Sequence, residues 1–143
     1  MAEDERRLRL PGKIEYVRAA CDFVVKAAED VGFGEKAVFQ SQLAVDEIFT
    51  NIVEHGYEHA GDDKSIELLV EVIDQSFLIS IFDEAPPFNP LTLDEPNPEE
   101  SLWERKEGGW GVFFVRQYMD DVRYKLDGNR NRLILEKKLP KKA

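Results

Sequence analysis

The segment Leu43-Ala44-Val45-Asp46-Glu47-Ile48-Phe49-Thr50-Asn51-Ile52-Val53-Glu54-His55-Gly56-Tyr57 decides how this chain is read. Val45, Phe49 and Ile52 continue an apolar stripe begun at Val38, with Ile48 beside it. Steps of three and four mark one face of an α-helix, expected from about Glu35 to Glu58. Glu47, Asn51 and His55 are spaced by four and form a second stripe, outside the main apolar face, with Glu47 almost opposite Val38. An isolated Glu-x-x-x-Asn stripe is ordinarily a solvated face. Turned towards a pocket, the same residues offer a carboxylate that can take a proton from a hydroxyl. They also offer an amide oxygen suited to Mg²⁺.

Upstream, Ile14, Val17, Cys21, Val24, Ala28 and Val31 predict an amphipathic helix that stops near Gly32 and Gly34. Before it, Arg7 to Leu10 reads as a short strand ended by Pro11-Gly12. Downstream, Ala60 to Asp63 is a turn. Ile66, Leu68, Val70 and Val72 alternate, as do Phe77, Ile79 and Ile81 after Asp74-Gln75-Ser76, which predicts an antiparallel hairpin with one buried face. From Asp83 to Gly111, five prolines and three glycines break every periodicity, and a loop of that length is ordinarily a functional lid or disordered. A third helix is expected from near Gly111, carrying Val112, Val115 and Met119. Val122 to Leu126 and Arg132 to Leu139 read as a last strand pair around Asp127-Gly128-Asn129. The fold class is therefore α+β: a two-layer sandwich with helices on one face of a mixed, mostly antiparallel sheet, in one domain spanning residues 1–143.

The net charge of -10 argues against sequence-independent nucleic-acid binding, which relies on Lys and Arg, and against an anionic membrane surface. It does not exclude a bound nucleotide, because backbone N–H groups and a metal ion supply local positive potential. The 43% hydrophobic content is enough for a buried core. A lone cysteine, Cys21, rules out an internal disulfide and reads as a small buried hydrophobe in the first helix. No apolar run approaches the roughly 20 residues that span a bilayer. Met1 to Arg9 is charged and lacks a signal segment, so a cytoplasmic location is expected.

Two further places carry chemistry. Asp83 ends the second hairpin strand, where it reads either as a turn residue or as an acceptor for an exocyclic amino group. Glu107-Gly108-Gly109-Trp110-Gly111 stands before the third helix, where glycines and orphan N–H donors form a corner suited to phosphate. It matches neither a Rossmann fingerprint nor a Walker loop, and on its own it reads as an ordinary connection. Trp103 and Trp110 read as lid, partner or core residues.

Taken in order, these pieces resemble the anti-sigma serine/threonine kinases of the GHKL superfamily, which share the histidine kinase-like (Bergerat) ATP-binding fold. Leu43 to Tyr57 looks like their N-box, and Asp83 to Pro90 like the first glycine box. Gly108 to Val112 with Met119-Asp120-Asp121-Val122 looks like the second, and Asn131 to Leu135 like the last strand. The resemblance implies Glu47 as general base and Asn51 as the Mg²⁺ ligand. It implies Asp83 as the reader of the adenine amino group, and Gly108, Gly109 and Gly111 as phosphate-lining residues. It further implies an ATP lid from about Leu91 to Glu107, with Arg105 or Lys106 in reach of the γ-phosphate. One departure stands out: the first glycine box usually reads Asp-x-Gly, and here its third residue is Ala85, followed by Pro86-Pro87.

The implied function is ATP-dependent phosphorylation of a small anti-anti-sigma (STAS-type) protein, with a sigma factor as the competing, sequestered partner. Homodimerisation is common in the family, and no sequence feature bears on it. The rival reading is a non-catalytic, nucleotide-gated binding module, which Ala85 favours and the Glu47–Asn51 pair opposes. A histidine-kinase catalytic domain needs a phosphoacceptor helix, whereas both histidines, His55 and His59, fall at the end of the N-box helix.

Overall fold

Ile66, Leu68, Val70 and Val72 share one face of a strand, β2 (Ser65–Ile73), and all four are buried. After Asp74-Gln75, β3 (Ser76–Asp83) turns Phe77, Ile79 and Ile81 to the same face. The computed structural model describes residues 4–57, 63–92 and 109–140 and adds β1 (Asp4–Pro11), β4 (Asp121–Asp127) and β5 (Arg130–Lys138). The strand order is β1-β2-β3-β5-β4, and every neighbouring pair is antiparallel. The mixed sheet expected from the sequence is corrected here. β3 and β4 run in the same direction, but β5 lies between them, so no parallel ladder forms. β1 is also longer than the predicted Arg7–Leu10, because ladder pairing with β2 extends over polar residues back to Asp4.

Among the described residues three helices cover one face: α1 (Val17–Asp30), preceded by a 3-10 turn at Ile14–Tyr16, then α2 (Glu35–Asn51) and α3 (Gly109–Tyr118). α1 buries Ala20, Cys21, Val24, Ala27 and Ala28, at helical spacing. Gly32, at φ +94°, ends α1 in the left-handed region that side chains rarely adopt. α2 buries Ser41, Ala44, Val45, Ile48 and Phe49, and Val38 is only half-buried. Ser41 satisfies its hydroxyl on the Ala37 carbonyl at 2.8 Å. These helix faces meet the inner strand residues in one core, where Phe33 and Phe77 pack edge to face at 5.2 Å.

The α-helix of α2 stops at Asn51, short of the predicted Glu58, which lies outside the described residues. Ile52–Gly56 continues it as a π-turn, closed by the Tyr57 N–H on the Ile52 carbonyl at 2.8 Å. The predicted turn at Ala60–Asp63 also falls outside the described residues, apart from Asp63.

α3 is anchored at its C-terminal end. Lys137 Nζ donates to the Tyr118 carbonyl at 2.8 Å and to Gln40 Oε1 of α2 at 2.7 Å. Among the described residues no helix covers the opposite sheet face. Phe82 is only 3% exposed because Arg130 and Arg132 lie over its ring at 4.3 and 5.0 Å, while Glu67 and Glu71 pair with those arginines. No helix among the described residues is long and apolar enough to cross a membrane.

Burial on α1 pushes the Cys21 thiol up to about 11, with Asp46 and Asp22 adding to the effect. At pH 8 about one thiol in a thousand is then ionised. Native protein should resist iodoacetamide at that pH and label readily once unfolded in urea. Rapid labelling of native protein would mean that the α1–α2 interface opens.

Candidate functional site

The last row on the inner face of the sheet holds two buried polar residues, Asp83 and Asn131. Leu10, Ile66, Asp83, Asn131 and Leu126 are register partners across all five strands. Asp83 is 8% exposed and Asn131 6%. A carboxylate buried to that degree is costly unless hydrogen bonds compensate it. Asp83 Oδ1 accepts from Asn131 Nδ2 and from the Ala85 N–H, both at 2.9 Å. Among the described residues both donors meet that one oxygen, leaving Oδ2 for another donor. Burial raises the Asp83 carboxyl above the usual range; the two donors lower it in part, and Glu84 pushes it up again.

Asn131 does more than satisfy Asp83. Its Nδ2 also reaches the carbonyls of Ala85 at 3.0 Å and Pro86 at 3.4 Å. Its Oδ1 accepts from the Phe88 N–H at 3.2 Å and from the Tyr124 hydroxyl. One amide thus pins the whole turn after β3 onto β5. Tyr57 pins it from the other side: its hydroxyl donates to the Ser65 carbonyl and accepts from the Glu84 N–H, both at 2.7 Å. Burial pushes that phenol up to about 12, so it stays protonated. Neither residue was singled out by sequence reasoning. Asn131 had a legible signal, because it stands at an inward strand position in line with Leu133 and Leu135.

Beside this row lies a cavity of about 1190 Å³, somewhat larger than the usual range for small-molecule sites. Its lining is mostly apolar, and Asn51, His55, Asp83 and Asn131 supply polar groups. Asn51 and Asp83 therefore face one space. Glu47 does not line it; its carboxylate is half-buried against the first turn of α3. A Cβ on Gly111 would stand 2.6 Å from Glu47 Oε2 and 3.5 Å from Asn51 Nδ2. The absence of a side chain there lets the N-box stripe and the start of α3 meet. The positive end of the helix favours an anionic group at that point. Burial raises the Glu47 carboxyl above the glutamate range, with Asp46 and Glu54 adding to it.

Gly109 is the first residue of α3, while Gly108 lies outside the described residues. The predicted lid, with Arg105 and Lys106, also lies outside them, apart from the 3-10 turn Pro90–Thr92. Among the described residues no three of His, Cys, Asp or Glu gather as a metal cluster. A lone amide is nonetheless a fitting protein ligand for Mg²⁺ on a phosphate chain, since that ion keeps several waters and few side chains.

Residues 10–137 match the family profile of the histidine kinase-like ATPase domain. A serine-protein kinase RsbW of Oceanobacillus iheyensis is 29% identical over 126 residues, covering 84% of this chain and 78% of the relative. One of Staphylococcus epidermidis is 30% identical over 124 residues, with the same coverage. The crystal structure of the RsbU and RsbW domains of a Mycobacterium tuberculosis protein superposes with a TM-score of 0.65 at 15% identity, a likeness of fold. It covers 98% of this chain, which spans 34% of that one.

Replacing Asn131 with Ala strips a donor from a buried carboxylate and releases the turn after β3. We expect a loss of about 2–3 kcal/mol, read as a lower urea midpoint at unchanged slope. A loss under about 0.5 kcal/mol would mean that water replaces the amide.

Proposed function

The chain belongs to the histidine kinase-like ATPase domain family, alongside relatives named serine-protein kinase RsbW, and from that premise we propose that it is an ATP-dependent serine/threonine protein kinase and anti-sigma factor. Its substrate in this reading is a small anti-anti-sigma protein of the STAS type, and a sigma factor is the partner it holds inactive. The observation that carries the proposal is the meeting at Gly111. There the Glu47 carboxylate, the Asn51 amide and the N-terminus of α3 converge, and Asn51 also opens into the cavity that Asp83 closes.

Each residue then has a role. Asp83 accepts a hydrogen bond from the adenine amino group through its open oxygen. Asn51 offers its amide oxygen to Mg²⁺, which when bound offsets the charge of the phosphates. Gly109 and Gly111 bring backbone N–H groups to the phosphate end, where the helix dipole favours anions. Glu47 takes the proton of the partner's Ser or Thr hydroxyl as that oxygen bonds to the γ-phosphorus and the bond to the departing ADP breaks. Catalysis of this kind is largely positioning and charge stabilisation. The raised pKa of Glu47 suits a base, because a higher proton affinity strengthens proton transfer.

Binding is tested by thermal unfolding with Mg²⁺–ATP. At a hundred times the dissociation constant, ligand adds about 2.7 kcal/mol, or roughly 5–10 °C for a domain of this size. Wild type should show the shift and Asp83→Asn should lose it; equal shifts in both proteins would remove Asp83 from the site.

Chemistry is tested with γ-labelled ATP and the anti-anti-sigma protein. Glu47→Gln should cut the rate about 10²–10⁴-fold while nucleotide still binds. The wild-type rate should fall as pH drops through a midpoint above the ordinary glutamate range, because protonation removes the base. Nucleotide binding without phosphotransfer in wild type would favour the non-catalytic, nucleotide-gated module.

A further inference from the structure

Gly56 closes the π-turn after α2, and Ala85 stands two residues beyond the end of β3; both line the cavity. A Cβ built on Gly56 would lie 3.0 Å from the Ala85 Cβ and 3.8 Å from Ile52 Cγ2. The Gly56 backbone is not among the positive-φ residues, so its conformation suits alanine, and helix propensity alone would favour alanine there. The neighbouring Ala85 methyl is what opposes it.

Whether that contact matters depends on whether Ala85 can yield, and it is held on every side. Its N–H donates to Asp83 Oδ1 at 2.9 Å, and its carbonyl accepts from Asn131 Nδ2 at 3.0 Å. Two prolines of fixed φ follow it. The preceding Glu84 N–H is bound at 2.7 Å to the hydroxyl of Tyr57, the neighbour of Gly56. Tyr57 is itself tied to Ser65 and Ile52. A methyl added at 56 therefore pushes on a segment whose nearest soft link is the N–H bond to the Asp83 carboxylate.

We propose that positions 56 and 85 share one methyl-sized volume beside Asp83, which makes Gly56 a specificity-determining position for the base end of the cavity. Glycine at 56 is what allows alanine at 85, the departure from Asp-x-Gly, without displacing the carboxylate. The inference rests on the nucleotide reading above, since it takes Asp83 as the group that meets the base.

The test is a four-protein cycle: wild type, Gly56→Ala, Ala85→Gly and the double variant, each titrated calorimetrically with Mg²⁺–ATP and Mg²⁺–GTP and unfolded thermally without nucleotide. Gly56→Ala should weaken ATP binding about tenfold and narrow its preference over GTP, a coupling ordinary for residues in contact. The double variant, read against Ala85→Gly as its own reference, should recover most of the loss. Gly56→Ala with wild-type affinity and preference, or a double variant as weak as the single, overturns the proposal. A purely structural role would lower the melting temperature and leave the ATP/GTP preference intact, which also overturns it. If Gly56→Ala fails to fold, a folded double variant supports the shared volume and an unfolded one refutes it. Wild type that binds neither nucleotide defeats the kinase reading, while the unfolding cycle still decides the shared volume.

Discussion

A carboxylate at the buried end of a strand must be given hydrogen-bond donors, and most of the site's architecture follows from that demand on Asp83. Asn131 is its register partner on β5, so the sheet itself brings the amide alongside. The same amide binds the turn after β3 at three backbone groups. Satisfying the acid and shaping the cavity wall are therefore one event. Tyr57 completes it from the helix layer, because its hydroxyl joins the start of β2 to the end of β3. A side-chain network of this kind is rigid when every member is satisfied and costly when one is removed.

The other end of the site rests on a different constraint, the close approach of two helices. Glu47 and Asn51 leave α2 on a stripe turned away from its core face, so they need a neighbour that takes up little space. Gly111 provides that in the first turn of α3. The far end of α3 is held by Lys137, which reaches both its last carbonyl and α2. The helix is thus fixed at its C-terminus, while its N-terminus, the end that favours anions, is presented to the N-box residues. The π-turn after Asn51 departs from helical register where the cavity begins, and such turns often occur at functional positions.

Charge is distributed to suit this arrangement. The chain carries a net -10, yet an anionic ligand requires only local positive potential, which helix ends and backbone donors supply. Many of the arginines are engaged elsewhere. Arg130 and Arg132 cover Phe82 on the opposite sheet face and pair with Glu67 and Glu71. Their guanidinium groups lie over the ring and shield it from water.

The sequence by itself determined the elements and their faces. Alternation in Ile66–Val72 and Phe77–Ile81 and the three-four spacing in α1 and α2 are local patterns, and each became the expected element. Glu47 and Asn51 were legible because their spacing lies within one helix, and Asp83 because it ends a strand. Tertiary structure alone decided the rest. That β5 enters between β3 and β4, making the sheet wholly antiparallel, depends on long-range pairing. The Asn131 clamp joins residues 48 apart, and the Tyr57 bridge residues 27 apart. Gly56 against Ala85 and Gly111 against Glu47 are questions of volume between segments. Periodicity records which way a side chain points from its own element. It carries no record of what meets that side chain across the fold, because hydrogen bonds and excluded volume act over a few ångströms of space whatever the separation along the chain.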